Sequence, residues 1–173
     1  MADTDYPAAE SNSDNYMKGL EKGPILVTGA SGGIGAATVK QLVAVGAEVI
    51  ASGRNLEPLK SLSYATGCRT LLFDLTSEDS VREALEDLDV YGVVNCGGFG
   101  GEIATPMDTD ISVFDKVMSV NARGALLVTK YTSASMIRLG KGGSIVNVSS
   151  QASLVALRAR RQVTDRSERF RVR

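Results

Sequence analysis

The stretch Thr28-Gly29-Ala30-Ser31-Gly32-Gly33-Ile34-Gly35 limits the folds open to this chain more than any other segment. It follows a short aliphatic run, Pro24-Ile25-Leu26-Val27, that reads as a strand. It precedes a helical pattern in which Ile34, Val39, Leu42, Val43 and Val45 share one apolar stripe, stopped by Gly46. Residues without Cβ let the backbone turn sharply from strand into helix. They also let an outside group come close to the N–H groups that open the helix. A strand–turn–helix of this composition suits a phosphate-bearing ligand.

The alternation continues. Glu48-Val49-Ile50-Ala51 reads as a second strand, Leu56 to about Tyr64 as a helix, and Thr70-Leu71-Leu72-Phe73 as a third strand closed by Asp74. Thr76 with Asp79 resembles a capping box opening a helix that runs through Leu88. Val90 to Asn95 is a fourth strand. A glycine-rich loop, Gly97 to Gly101, then leads through Pro106 to one long helical pattern from Val113 to about Leu139, with Gly124 inside it. Gly140 and Gly142-Gly143 end that helix, and Ser144 to Val148 is a fifth strand. Strands alternating with helices of this length imply parallel βαβ crossovers. The expected fold class is α/β, a Rossmann-like doubly wound parallel sheet, incomplete at about five strands. Three regions are expected: a disordered acidic segment at 1–22, a partial NAD(P)-binding domain at 23–157, and an Arg-rich tail at 158–173.

Several motifs stand in a fixed order along residues 24–157. Gly29, Gly33 and Gly35 have the spacing T-G-x-x-x-G-x-G. Asp74-Leu75 follows strand three, Val94-Asn95-Cys96-Gly97-Gly98 follows strand four, Val120-Asn121-Ala122-Arg123-Gly124 lies in the long helix, and strand five ends at Ser149-Ser150. In this order they resemble the short-chain dehydrogenase/reductase family, and within it the L-xylulose (dicarbonyl) reductase branch. The resemblance implies a reductase that transfers hydride between a nicotinamide nucleotide and a small carbonyl or sugar substrate. It implies cofactor contacts at Gly29, Ser31, Gly33, Ile34, Gly35, Asp74, Leu75 and Asn95, with Asp74 against the adenine. It also implies that Ser150 hydrogen-bonds the substrate carbonyl, with Ser149 as the neighbouring alternative, and that Asn121 holds a water in a proton relay. Related proteins assemble through the long helix, so a homo-oligomer through 113–139 is expected.

The choice of cofactor follows from charge. An NAD-preferring site of this architecture places a carboxylate after strand two to bind the ribose hydroxyls. Here that segment is Ser52-Gly53-Arg54-Asn55, with one Arg and no acid. A guanidinium fork matches a 2′-phosphate, so NADP(H) is the expected cofactor and Arg54 its reader.

The resemblance further requires a Tyr about thirteen residues after the Ser and a Lys four beyond it, the Lys lowering the phenol's pKa so that it can deliver a proton. The corresponding positions hold Val163 and Ser167, and no Tyr in the 173 residues has a Lys four residues on. The chain is therefore expected to be catalytically silent alone, binding at most nucleotide or a subunit partner.

Composition removes other classes. There is no His, which excludes a Ser-His-Asp triad and the commonest metal ligand. Cys68 and Cys96 fit no metal-ligand spacing and read as reduced, buried thiols. The apolar run from Val43 to Ala51 is broken by Gly46 and Glu48, too short for a membrane span. The first residues show no basic start leading into an apolar stretch, so a cytoplasmic address is expected. Residues 1–157 hold twelve basic and eighteen acidic residues, whereas 158–173 hold seven Arg against Asp165 and Glu168. That break at Arg158 suggests a shifted reading frame or aberrant transcript. Nucleic-acid binding by the tail is not expected, because Phe170 is its only aromatic and the body is acidic.

Overall fold

The structure, a computed structural model, describes residues 19–102, 104–105, 107–140 and 142–150. Chain order runs β1 (Ile25–Thr28), α1 (Gly33–Ala44), β2 (Val49–Gly53), α2 (Leu56–Thr66), β3 (Arg69–Leu72), α3 (Glu78–Leu85), β4 (Gly92–Asn95), α4 (Ile111–Met118), a π-helical segment (Ser119–Gly124), α5 (Ala125–Leu139) and β5 (Ser144–Asn147). The strands form one parallel sheet in the order β3-β2-β1-β4-β5. The expected α/β fold with five strands is what forms.

Alternation along the strands sends residues to opposite faces of the sheet. Ile25, Val27, Val49 and Ala51 pack with Val39 of α1 and with Leu59 and Leu62 of α2. Leu26, Ile50 and Val93 pack on the other face against Val81 and Leu85 of α3 and Leu127 and Val128 of α5. Central strand β1 is buried along its whole length, as a strand covered on both faces must be. Cys68 is buried in the first of these layers, and Cys96 is partly buried beside it.

Four local expectations change. The α3 helix is capped by Ser77, whose side chain accepts from the Ser80 N–H, whereas Thr76 instead donates its N–H and its hydroxyl to Asp74 Oδ1, each at 2.9 Å. The helix also ends at Leu85 rather than Leu88. Strand four begins at Gly92, because Val90 is buried as an apolar plug before the strand and Tyr91 N–H bonds the carbonyl of Pro24. The long helix is not uniform: it widens into a π-helical turn over Ser119–Gly124. Leu20–Lys22 form a 3₁₀ turn, with Leu20 packed on the core and Lys22 Nζ 5.3 Å from the centroid of the Tyr91 ring.

β5 pairs only with β4 among the described residues, so it is an edge of the sheet. Val146 and Val148 there are 51% and 42% exposed. No helix among the described residues is long and apolar enough to cross a membrane.

Candidate functional site

Strand order reverses between β1 and β4, and in an open parallel sheet a crevice forms outside the carboxyl ends of the strands at that point. A cleft of about 240 Å³ opens there. Its wall combines the glycine turn after β1, Arg54 after β2, Asp74 and Leu75 after β3, the loop from Cys96 to Phe99 after β4, and Lys116 and Val120 from the long helix.

The glycines of the turn serve distinct ends. Gly29 sits at φ +63°, and a Cβ on it would lie 2.6 Å from Gly97 Cα and 2.7 Å from Gly97 N. Both the left-handed backbone and the neighbouring loop therefore demand glycine. A Cβ on Gly35 would run into the Gly29 carbonyl and Ala30, so this position keeps helix and turn in contact. Gly33, the first residue of α1, has nothing within 4 Å of where a Cβ would stand. Internal packing does not explain its bareness, and the open space beside it leaves room for a ligand. Gly32 supplies the N-cap in extended conformation with no side-chain cap, and the first turn holds no acid. The leading N–H groups of a helix have no partner within it, so here they meet a ligand or water. The donor set thus fits a diphosphate.

Arg54 and Asp74 stand on adjoining strand ends. Asp74 is held below the usual carboxylate range, first by the N–H of Thr76 and then by its hydroxyl, with the charge of Arg54 adding to the effect. Ser80 Oγ accepts from the Asp74 N–H at 3.1 Å, which fixes the backbone as well. These bonds engage Oδ1 and leave Oδ2 without a hydrogen-bond partner among the described residues. Ser31 lines the cleft with its hydroxyl toward the end of β2, and Ile34 is exposed beside it. Leu75 packs beneath Gly97 and against Gly124.

Asn95 lies below the cleft and not on its wall. It is buried, accepts from Thr28 Oγ1 at 3.4 Å and donates to Asn147 Oδ1 at 2.9 Å, and its carbonyl takes the Val148 N–H at 3.0 Å. It therefore ties the ends of β1, β4 and β5 together. The Thr28 hydroxyl also accepts the Gly97 N–H at 3.1 Å, which draws the loop after β4 toward the glycine turn. Asn121, in the π-helical turn, accepts the Phe99 N–H at 2.7 Å and donates to the Phe99 carbonyl at 3.0 Å. Ser150 is exposed, three residues beyond β5, at the same carboxyl edge.

Sequence reading did not single out Thr28, Cys96, Phe99, Lys116 and Val120 as part of this wall. A signal existed for one pair: Lys116 and Val120 are four apart and share a helix face that ends at the Asn121 motif. Cys96 is a reluctant thiol, its pKa pushed up by burial.

The sheet order, the glycine turn and the cleft at the switch point define a Rossmann-like α/β fold. The family model of short chain dehydrogenases matches residues 24–161, and the chain belongs to that family. It is 34% identical over 165 residues to a (+)-cis,cis-nepetalactol synthase of Nepeta racemosa, covering 90% of this chain and 60% of that protein. An L-xylulose reductase of Mesocricetus auratus is 36% identical over 140 residues, covering 80% of this chain and 57% of the relative. Among solved structures, a short-chain dehydrogenase/reductase of Mycobacterium ulcerans superposes with a TM-score of 0.74 at 30% identity, covering 79% of this chain and 54% of the other. The chain spans about half the length of the curated relatives it matches, from 45% to 60% of those named here.

Proposed function

We propose that residues 24–150 form the cofactor half of an NADPH-linked reductase acting on a small carbonyl or keto sugar. Arg54 carries this reading. It lines the cleft directly after β2, where an NAD-selective site would hold an acid. Its planar fork suits a 2′-phosphate better than ribose hydroxyls. In this reading the N–H groups at the start of α1 hold the diphosphate. Asp74, kept ionised by Thr76, accepts from the adenine through its open oxygen. Bound NADPH would supply the hydride, and Ser150 would hydrogen-bond the substrate oxygen that hydride addition charges. The names of two relatives agree with the choice of cofactor: a carbonyl reductase [NADPH] of Sus scrofa at 37% identity and an NADPH-dependent 1-acyldihydroxyacetone phosphate reductase of Schizosaccharomyces pombe at 36%.

Titration followed by NADPH and NADH fluorescence tests it. NADPH is expected to bind more tightly, and Arg54→Gln to remove most of the difference. Equal or tighter NADH binding by the unaltered chain would sink the cofactor assignment.

A second reading rests on a separate observation, the lack of any Tyr-x-x-x-Lys in the 173 residues. General acid–base help is worth about 10² to 10⁴ in rate. The chain as given is therefore expected to bind nucleotide without oxidising NADPH in the presence of diacetyl or L-xylulose. Turnover above the buffer blank would refute that expectation.

A further inference from the structure

Of the charged residues on the cleft wall, neither Arg54 nor Lys116 makes an ion pair among the described residues, and Lys116 alone of them lies over an aromatic ring. Asp74 is met by the Thr76 donors and by the charge of Arg54. Lys116, reaching in from α4 on the helical wall, makes neither an ion pair nor a hydrogen bond among the described residues. Its ammonium lies instead over the ring of Phe99, 4.8 Å from the centroid. Asn121 holds the Phe99 backbone at both its N–H and its carbonyl. A free lysine on an exposed helix spreads over many rotamers in solvent. A cation held on an aromatic face, beside a cleft, stays close to whatever enters.

Resting on the dinucleotide reading above, we propose that Lys116 is a second phosphate contact of the bound nucleotide, on the α4 side of the cleft and positioned by Phe99. The charged residues of the cleft wall are Arg54, Asp74 and Lys116, two positive and one negative, which leaves a net of one positive charge. An anion entering the cleft gains from that charge without breaking an existing ion pair. Neutral parts of the ligand gain little from it. Lys116 thus contributes to affinity for the phosphates and not to recognition of the base. Phe99 acts through Lys116 and is a positioning residue.

The test uses the full chain and three probes: 2′,5′-ADP, 5′-AMP and adenosine, each displacing NADPH fluorescence. Lys116→Gln is expected to weaken 2′,5′-ADP by about three- to fivefold, the scale of an exposed charge pair, with a smaller loss when salt is raised. Adenosine should bind the variant as it binds the parent, and Lys116→Arg should retain affinity. Phe99→Leu should give a partial loss that does not add to that of Lys116→Gln. An equal loss for adenosine would overturn the proposal, since the lysine would then be reading the base. So would unchanged 2′,5′-ADP binding in Lys116→Gln. If the parent chain binds none of the probes, the dinucleotide reading itself fails, an outcome distinct from either of these.

Discussion

Gly29 and Gly33 stand four residues apart in one turn, and their surroundings differ in kind. A Cβ on Gly29 meets Gly97 backbone at under 3 Å, and its φ of +63° is one that side chains resist. A Cβ on Gly33 meets nothing. Gly29→Ala is therefore expected to destabilise the fold by at least about 1–2 kcal/mol from the left-handed backbone alone, with the overlap against Gly97 in addition. Gly33→Ala should leave the melting temperature unchanged or slightly raised, because Ala favours a helix more than Gly does, yet it should weaken NADPH binding. Thermal melts with and without NADPH separate the two. If Gly33→Ala binds as the parent does, the space beside α1 is not where the diphosphate sits.

At the scale of elements, the π-helical turn between α4 and α5 joins parts of the site that lie far apart in sequence. An extra residue in a helical turn swings side chains to new directions. Here Asn121 reaches the loop after β4, Val120 reaches the cleft, and Gly124 faces Leu75. A Cβ on Gly124 would lie 2.9 Å from Leu75 Cβ and 3.1 Å from its carbonyl oxygen. Arg123 adds a bond to the Thr76 carbonyl at 3.3 Å and pairs with Glu78 at 2.9 Å. Glu78 also takes Lys130 Nζ at 3.1 Å and the Tyr131 hydroxyl at 3.2 Å, and Lys130 first, then Tyr131, hold its carboxyl below the usual range. Gly124→Ala is expected to lower the urea midpoint of unfolding. Overpacking of about 1–3 kcal/mol outweighs the gain in helix propensity of about 1 kcal/mol. An unchanged or higher midpoint would show that Leu75 can yield without cost.

At the scale of the molecule, one face of each layer is well served and one edge is not. Both sheet faces carry a buried cluster, and α1, α2, α3 and α5 cover them. Strand β5, by contrast, shows Val146 and Val148 to solvent and has no second neighbour among the described residues. The segment 142–150, Gly-Gly-Ser-Ile-Val-Asn-Val-Ser-Ser, carries no charge and no proline. Natural edges are usually blunted by such residues, and an unblunted apolar one recruits other strands. Val146→Lys is expected to reduce light scattering on heating and to leave the melting temperature within a few degrees of the parent. Scattering that is unchanged would place the association elsewhere on the surface.

Local patterns in the sequence were enough to place the glycine turn, the five strands with their two- and 3.6-residue periods, and the membership in the short chain dehydrogenases. Those signals are local because each comes from neighbouring residues meeting one backbone conformation. Arg54 and Asp74 were legible as cleft residues for the same reason: Arg54 follows β2 directly, and Asp74 follows β3 with only Phe73 between. What the tertiary structure decided is where side chains go once crossovers dock. Asn95 closes the strand from which the cleft loop leaves, yet it turns inward to Asn147, fifty-two residues on, because β4 and β5 pair in register there. Asn121 grips Phe99 across twenty-two residues, and Lys116 lies over that residue's ring at the cleft. No periodicity encodes such contacts. They arise from the π-helical turn meeting a glycine loop, and both positions depend on how the sheet orders its strands.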